Sequence, residues 1–128
     1  MEAPVRERLP SERSGVTKKI HLHYTVEQQL RELKLYITIG EYPDGRPGEV
    51  FLKVDKMGST ISGLMDALSI TLSIGLQHGV PLAEYLDKLV NMRFEPMGTT
   101  EDADLPRVTS IVDAVARYLS RRYPKPGA

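Results

Sequence analysis

The stretch LKLYITIGEYPDGRPGEVFLKV, residues 33–54, decides the fold. Both of its ends alternate apolar and polar side chains, a period of two that is typical of β-strands with one buried face. Between these ends, Asp44-Gly45 is a strong hairpin signal, because glycine accepts a positive φ without steric cost. The stretch therefore predicts two antiparallel strands joined by a turn within residues 41–48.

Another strand is predicted before this hairpin. Ile20, Leu22 and Tyr24 alternate with polar residues, so residues 18–55 have the pattern of a three-stranded antiparallel meander. The polar segment at residues 26–32 is expected to form a helical turn or a wide loop between the first two strands.

Three helices are predicted after the meander. The first follows an N-cap candidate at residues 58–60 and stops at Gly79, while Pro81 and Pro106 favour the starts of the other two. Residues 91–104 are expected to be a loop. The first helix is apolar over so wide a stripe that burial on more than one side is predicted. Its apolar residues are Ile61, Leu64, Met65, Leu68, Ile70, Leu72, Ile74 and Leu76.

These patterns together predict an α+β fold, a three-stranded antiparallel meander followed by three helices packed on one face. We expect a single domain at residues 17–123 and a tail at residues 124–128. Residues 1–16 mix proline with charged side chains, which favours a flexible N-terminal lead or an arm laid on the surface.

Composition excludes several classes of function. The 17 Lys and Arg residues balance 17 Asp and Glu residues, so no overall field draws the chain to nucleic acid or membrane. The chain has no cysteine, which excludes disulfides, thiolate metal sites and iron–sulfur clusters. Residues 61–76 are apolar but interrupted by polar residues, and they predict a buried helix rather than a membrane span. With no secretory signal recognised, a cytoplasmic protein without a membrane partner is expected.

Six segments, in order along the chain, resemble one protein family. They are RLPSERSGVTKKI (8–20), GEYPDGRPGEVFLKV (40–54), GSTISGLMDALS (58–69), SIGLQHGVPL (73–82), MRFEPMG (92–98) and SIVDAV (110–115). In sequence and spacing they are similar to the region after the catalytic barrel of adenosylcobalamin-dependent ribonucleotide reductases, a TSCPD-type domain. The resemblance covers about residues 8–120, and DGRPGE, GSTISGLMD and RFEP are its most specific stretches.

The resemblance implies a shared fold, a cytoplasmic setting and a link to deoxyribonucleotide metabolism and DNA synthesis. In the family, reduction uses cysteines of the barrel and a cysteine pair near the C-terminus, and no position of this chain matches either. We therefore predict no catalytic residue and no cofactor. The polar segment VEQQLRELK (26–34) also departs from the shorter, glycine-containing connection expected of the family, and its role stays open.

The function expected from the resemblance is that of a stand-alone, non-catalytic relative of the reductase's C-terminal accessory domain. Such a module would dock on a separately encoded ribonucleotide reductase or a related nucleotide enzyme. Two alternatives stay open, a nucleotide or nucleic-acid binding module and one piece of a split ribonucleoside-diphosphate reductase. The long apolar helix also suggests a homo-oligomer, since excess apolar surface must be covered.

An anion site is one candidate for ligand binding. Lys56, Gly58, Ser59 and Thr60 immediately precede or begin the first predicted helix. Free N–H groups of the first turn, the helix dipole, a lysine and two hydroxyls could hold a phosphate. A plain helix N-cap explains the same residues.

The loop residues Arg93, Phe94 and Glu95 form a candidate contact site, since an arginine, an aromatic ring and an acid are frequent in interfaces. The simpler interpretation is a structural plug, with Phe94 in the core and Arg93 paired with Glu95 or Asp66. Asp66 is the one acid of an apolar helix, and if buried it requires such a partner.

Two further clusters have weaker signals. Lys18, Lys19, Arg117, Arg121 and Arg122 could form a basic patch for nucleic acid, although solvated charges and helix C-cap charges are the simpler interpretation.

His21 and His23 share the polar face of a predicted strand and could bind a metal. The sequence suggests no third ligand nearby, so no metal site is predicted.

Overall fold

The computed structural model describes residues 5–125 and has eight elements. Contacts within the chain divide it into two compact units. One comprises the chain up to Lys19 together with Tyr36–Pro81, and the other comprises Ile20–Leu35 together with the chain from Leu82 onward. The elements are β1 (Gly15–Val26), β2 (Gln29–Glu41), β3 (Pro47–Val54), α1 (Ser59–Gln77), α2 (Leu82–Leu89), β4 (Gly98–Thr100), β5 (Arg107–Val108) and α3 (Ile111–Arg122).

The predicted α+β class and its order, a meander and then three helices, are confirmed. The strands form one antiparallel sheet in the order β3-β2-β1-β4-β5. The period-two pattern is also confirmed, because eight apolar side chains at alternate positions of the first three strands are buried. These residues are Ile20, Leu22, Leu33, Leu35, Ile37, Ile39, Val50 and Leu52.

Two tight turns join the meander. The turn at Asp44-Gly45 is confirmed, with Gly45 at φ 90° and its N–H donating to the Tyr42 carbonyl at 2.8 Å. The first connection is shorter than expected, because Glu27 and Gln28 alone turn the chain at φ 49° and 66°. Left-handed backbone at both central positions suits a two-residue hairpin, but it usually needs glycine or asparagine. The prediction of a helical turn or wide loop was therefore wrong.

The expected loop at residues 91–104 contains a short strand. β4 pairs with β1 through Leu22–Thr100 and His23–Thr99, and β5 pairs with β4. A Cβ at Gly98 would lie 1.9 Å from the His23 carbonyl oxygen, so β4 fits against β1 only with glycine there.

The third helix begins later than predicted. Pro106 precedes β5, and α3 starts after Ser110, whose hydroxyl accepts a hydrogen bond from the Asp113 N–H at 2.9 Å. A serine N-cap satisfies a first-turn donor that proline at this position cannot. The predicted start at Pro106 was therefore wrong.

Helix α1 packs on β3 through a polar stripe, which we call the serine stripe and define as Ser69, Ser73 and Gln77. The Ser69 and Ser73 hydroxyls accept hydrogen bonds from the backbone N–H groups of Leu52 (2.9 Å) and Val50 (3.0 Å). Gln77 Nε2 donates to the Gly48 carbonyl at 2.9 Å. All three stripe residues are buried, so a helix that is apolar in composition also bonds β3 through polar side chains.

By length and composition, α1 is the one helix of the described chain that could cross a membrane. One face of this helix, formed by the serine stripe and by Met65, Leu72 and Leu76, is buried inside the unit that contains α1. The prediction that both Ile70 and Ile74 are buried was wrong, because they are 59% and 39% exposed. The serine stripe occupies the helix face that those isoleucines were expected to share.

Each unit has its own apolar core. In the unit containing α1, the core joins this helix to Ile37, Ile39, Val50 and Leu52. In the other unit, α2 packs on α3, and α3 also contacts β5. The core residues of that unit are Ile20, Leu22, Leu33, Leu35, Leu86, Leu105, Val108, Ile111, Val112, Ala114, Val115, Ala116, Tyr118 and Leu119.

The start of the described chain is an arm held against the α1 unit. The Glu7 N–H donates to the Gln77 carbonyl, and the Tyr42 hydroxyl donates to the Glu7 carbonyl at 2.6 Å. These are the contacts expected of an arm laid on the surface, and the flexible lead at residues 1–16 stays a prediction. Residues 1–4 and 126–128 lie outside the described chain, and the expected domain boundaries stay predictions.

Candidate docking surfaces

The first candidate surface is a contact loop that we define as residues 92–97, between α2 and β4. Arg93, Phe94 and Glu95 are all exposed, with Phe94 at 37%. Met92 and Met97 add exposed apolar surface on either side. Exposed aromatic and methionine side chains beside an arginine have the composition of a protein-binding surface.

Hydrogen bonds with Thr109 and Asp113 fix the backbone of the contact loop beside the start of α3. The Phe94 N–H donates to the Thr109 carbonyl at 3.1 Å, and the Thr109 hydroxyl donates to the Met92 carbonyl at 2.8 Å. The Asn91 N–H, at the start of the loop, donates to Asp113 at 2.6 Å. The loop therefore presents its side chains from an ordered backbone, which lowers the entropic cost of binding.

Asp113, in the first turn of α3, is a fully buried acid. Its carboxylate accepts hydrogen bonds from the N–H groups of Asn91 and Thr109 and from Arg117 Nε at 2.9 Å. Burial acts to raise the pKa of the Asp113 carboxyl, but these backbone hydrogen bonds and the Arg117 guanidinium together hold that pKa below its ordinary value. Asp113 is therefore a charged anchor that ties the contact loop to α3.

The plug interpretation of the loop was wrong. Phe94 does not enter the core, and Pro96 is the buried residue of this segment. Within residues 5–125, Arg93 forms no ion pair with Glu95 or with Asp66. Asp66 is not a buried acid, because its side chain is 54% exposed and bonds Lys53 Nζ at 2.9 Å.

A second candidate surface, missed by sequence reasoning, is a groove of about 320 Å³ in the α1 unit. Phe51, Ile70 and Ile74 contribute exposed apolar side chains to the lining, and arginines of the N-terminal arm contribute positive charge. The sequence did contain a signal for this groove, because α1 has more apolar residues than one buried face can hold. The sequence interpretation assigned two of them, Ile70 and Ile74, to the core. The arginines of the N-terminal arm that line this groove are Arg6, Arg8 and Arg13.

Two of the groove's arginines are held by other groups. Arg13 binds Glu49 with both Nε and Nη2 at 2.8 Å, and these hydrogen bonds raise the pKa of Arg13 above its ordinary value. Arg6 Nε donates to Gln77 at 2.7 Å. Arg8 makes no ion pair with the described residues, so it is the cation most available to an acidic ligand.

The predicted anion site lies at the start of α1 as expected. Gly58 is the N-cap and has no side-chain cap, while Ser59 and Thr60 are exposed in the first turn. Lys56 is exposed in left-handed backbone at φ 60°. A helix start of this kind is common without a ligand, so phosphate binding stays a prediction.

The predicted basic patch has little free charge at its C-terminal part. Arg117 bonds Asp113 and Asn91, and Arg121 Nη1 bonds Asp102 and Asp104 at 3.0 Å and 2.8 Å. Arg122 stacks over the Tyr123 ring at 5.6 Å. Lys18 and Lys19 lie on β1, in the α1 unit. Nucleic-acid binding by these residues stays a prediction.

His21 and His23 lie side by side on β1, as the spacing predicts, with ring centroids 4.7 Å apart. The structure adds a residue that sequence reasoning missed, Glu32 of β2, whose carboxylate lies beside both rings. Its position could have been found only by pairing β1 with β2 through the two-residue turn, which the sequence did not signal.

Comparison with known proteins identifies the family. Residues 6–123 match the TSCPD domain. The chain is 50% identical over 117 residues to a protein of Streptantibioticus cattleyicolor named vitamin B12-dependent ribonucleotide reductase, covering 91% of this chain and 18% of that protein. Proteins of the same name from Streptomyces coelicolor and Rhodopirellula baltica are 50% and 44% identical over 91% of this chain.

This chain spans only 11% and 10% of the Streptomyces coelicolor and Rhodopirellula baltica proteins. No solved structure matches it. The resemblance inferred from the sequence, to the C-terminal region of these reductases, is confirmed. The match covers nearly the whole chain, which therefore belongs to the TSCPD domain family.

Proposed function

We propose that this chain is a non-catalytic accessory module that docks on a vitamin B12-dependent ribonucleotide reductase. The observation that carries the proposal is 50% identity over 91% of a chain that contains no cysteine. In the similar proteins this region is a small part of a much longer chain. We therefore expect such a domain to work in contact with the rest of a reductase.

The contact loop supports this proposal. Met92, Phe94 and Met97 together expose apolar area on a loop whose backbone is fixed by Thr109 and Asp113. Arg93 and Glu95 supply charges of both signs beside it. A central aromatic residue with charged neighbours is the usual arrangement of an energetic hot spot in a protein interface.

The lack of cysteine supports a non-catalytic role. The resemblance implies that reduction in this family depends on cysteine thiols, and this sequence has none. The proposal includes a cytoplasmic setting and a contribution to deoxyribonucleotide supply, both of which follow from the work of the reductase.

The direct test measures binding of the chain to a purified vitamin B12-dependent reductase by biolayer interferometry. We expect saturable binding that Phe94→Ser or Arg93→Glu weakens about tenfold or more, since loss of a hot-spot side chain costs at least about 1.4 kcal/mol. Leu30→Ser is the matched control, because Leu30 is 77% exposed in the same unit and lies outside the contact loop.

Each result bears on a different part of the proposal. A loss of binding in Phe51→Ser, with Phe94→Ser unchanged, would keep the docking function but move it to the groove. Absence of binding to the reductase at micromolar concentrations would refute docking. A melting temperature raised by nucleotides or oligonucleotides, with a shift that fades as salt rises, would favour the binding-module alternative. Reduction activity on mixing with a barrel subunit would favour the split-enzyme alternative.

A further inference from the structure

The side chains of His21, His23 and Glu32 form a cluster on β1 and β2 that the docking proposal does not use. Their donor atoms all lie within 4.8 Å of one another. Glu32 Oε2 is 2.9 Å from His21 Nε2 and 4.0 Å from His23 Nδ1. We propose that these three residues bind a divalent transition-metal ion of the zinc class.

The distances fit one shared ion. Zinc lies about 2.0–2.2 Å from imidazole nitrogen and carboxylate oxygen, so ligand atoms around one ion are separated by about 3–4 Å. The separations of Glu32 from the two histidines fall in or beside this range. The nitrogens of the two histidines lie within 4.8 Å of each other, so small rotations of these partly exposed rings would bring them into the same range.

The environment of His21 Nε2 points to an ion more directly. This atom is shielded from solvent, and it makes no hydrogen bond with any described group. Glu32 Oε2 lies at 2.9 Å but not along the direction that a ring N–H would require. Two polar atoms that are adjacent but not aimed at each other have the arrangement of neighbouring ligands to a third atom. A cation there would coordinate a shielded nitrogen that has an acid beside it but makes no hydrogen bond.

A second carboxylate, that of Glu101, is hydrogen-bonded to the backbone of the cluster. The His21 N–H donates to both carboxylate oxygens of Glu101, at 3.0 Å and 3.1 Å. Glu101 directly follows β4, which pairs with β1 at Leu22 and His23. Two carboxylates therefore lie close to two imidazoles, which favours a divalent cation over an anion at this position.

The ligand set defines the chemical class of the ion. Two imidazoles and one carboxylate suit zinc, cobalt or nickel, whereas calcium and magnesium prefer all-oxygen sites. Three protein ligands leave at least one coordination position for water or for a donor from a bound partner. The site also assigns a role to the polar segment 26–34, because its turn and strand place Glu32 beside β1.

The test uses the full chain without an affinity tag, stripped with chelator and titrated with Co²⁺ and then Zn²⁺. We expect one Co²⁺ per chain by visible absorption and calorimetry, with displacement by Zn²⁺. His23→Gln and Glu32→Gln should each weaken binding about tenfold or more, because each removes one of three ligands. His78→Gln and Glu84→Gln are matched controls, since they change a histidine directly after α1 and an acid on α2, both outside the cluster, and binding should be unchanged.

Binding is compared only among variants whose circular dichroism and melting temperature match the wild type. The side chains of His23 and Glu32 are 38% and 44% exposed, so neither belongs to the core and their substitution is compatible with folding. Histidine ring signals in NMR give an independent readout, because Co²⁺ should broaden His21 and His23 and leave His78 sharp. No saturable binding by the wild type, or equal binding by Glu32→Gln and His23→Gln, would overturn the site without touching the docking proposal.

Discussion

At the scale of single residues, the Asp113 carboxylate links α3 to the contact loop through three hydrogen-bond donors. A fully buried carboxylate that accepts from two backbone N–H groups and one guanidinium cannot be replaced by its amide without loss. Asparagine would present an NH₂ group to donors and would leave Arg117 without its charge partner. The same substitution should loosen the contact loop at Asn91.

We expect Asp113→Asn to lower the free energy of unfolding by about 2–4 kcal/mol. Urea denaturation followed by circular dichroism measures this change. Asp104→Asn is the control, because Asp104 also bonds an arginine but its side chain is 70% exposed, so its ion pair should contribute little. Equal stability of Asp113→Asn and wild type would mean that the anchor has no energetic role.

The low pKa of Asp113 also predicts a pH dependence. Its folded-state value lies below the ordinary 3.8, so its contribution to stability is complete above that pH. The contribution is lost as the pH falls from 3.8 through the folded-state pKa. The difference in stability between wild type and Asp113→Asn should therefore shrink in this acid window, which urea titrations from pH 5 down to pH 2 would measure. A difference that stays constant over this range would contradict the assignment.

Single residues also show where sequence reasoning succeeds and fails. Asp66 was chosen as a buried acid because its neighbours in sequence are apolar, but helix rotation places it beside Lys53 in solvent. Asp113 carried a better signal, since Ser110 and Asp113 have the spacing of a helix N-cap pair. Burial depends on which helix face meets the core, and one sequence does not specify that face.

At the scale of elements, the serine stripe can bond every second residue of β3 because four helix residues and two strand residues span nearly the same distance. Four residues of helix rise about 6 Å, and two residues of strand about 6.8 Å. Ser69, Ser73 and Gln77 are four residues apart, and their partners Leu52, Val50 and Gly48 are two residues apart in the opposite direction. The four-residue spacing of the stripe is visible in the sequence. It predicts this contact only if one supposes that helix side chains form hydrogen bonds with the backbone N–H and carbonyl groups of a strand.

We expect Ser73→Ala to lower the free energy of unfolding by about 1–3 kcal/mol, because it leaves the buried Val50 N–H without an acceptor. Hydrogen exchange at the Val50 amide should accelerate as well. Thr71→Ala is the matched control on the exposed side of the same helix, where the hydroxyl bonds only the Ala67 carbonyl. Similar losses in both variants would argue that helix propensity, and not the strand contact, is responsible.

The long strands and α1 were predictable because their periodic patterns extend over many residues, whereas β4 and β5 were not. Strands of three and two residues are too short to show alternation. Their existence depends on pairing with β1 and on a close approach at Gly98. Tertiary context of this kind is absent from a local pattern.

At the scale of the whole molecule, charge and apolar exposure together predict association. The formal net charge is zero and the isoelectric point is near 6.8, so little repulsion separates copies at neutral pH. Phe51, Ile70 and Ile74 line one groove and are exposed. The homo-oligomer expected from the sequence stays a prediction that these side chains support.

We expect the wild-type chain to self-associate reversibly as its concentration rises, and Ile70→Lys to shift this equilibrium towards the monomer. Sedimentation velocity at neutral pH measures both. Leu30→Lys adds the same charge at an exposed leucine outside the groove and controls for net charge. A wild type that remains monomeric at every accessible concentration would show that the groove does not join copies.

The hydrogen bonds between α1 and β3 have a consequence for how this protein recognises others. β3 ends the strand order of the sheet, and an end strand normally offers its backbone to an incoming strand. Here the N–H groups of Val50 and Leu52 and the carbonyl of Gly48 are already occupied by the helix. Peptide capture by β-augmentation is therefore closed along this strand, as is the edge-to-edge stacking that begins amyloid growth. A partner that binds this part of the protein must recognise side chains rather than backbone.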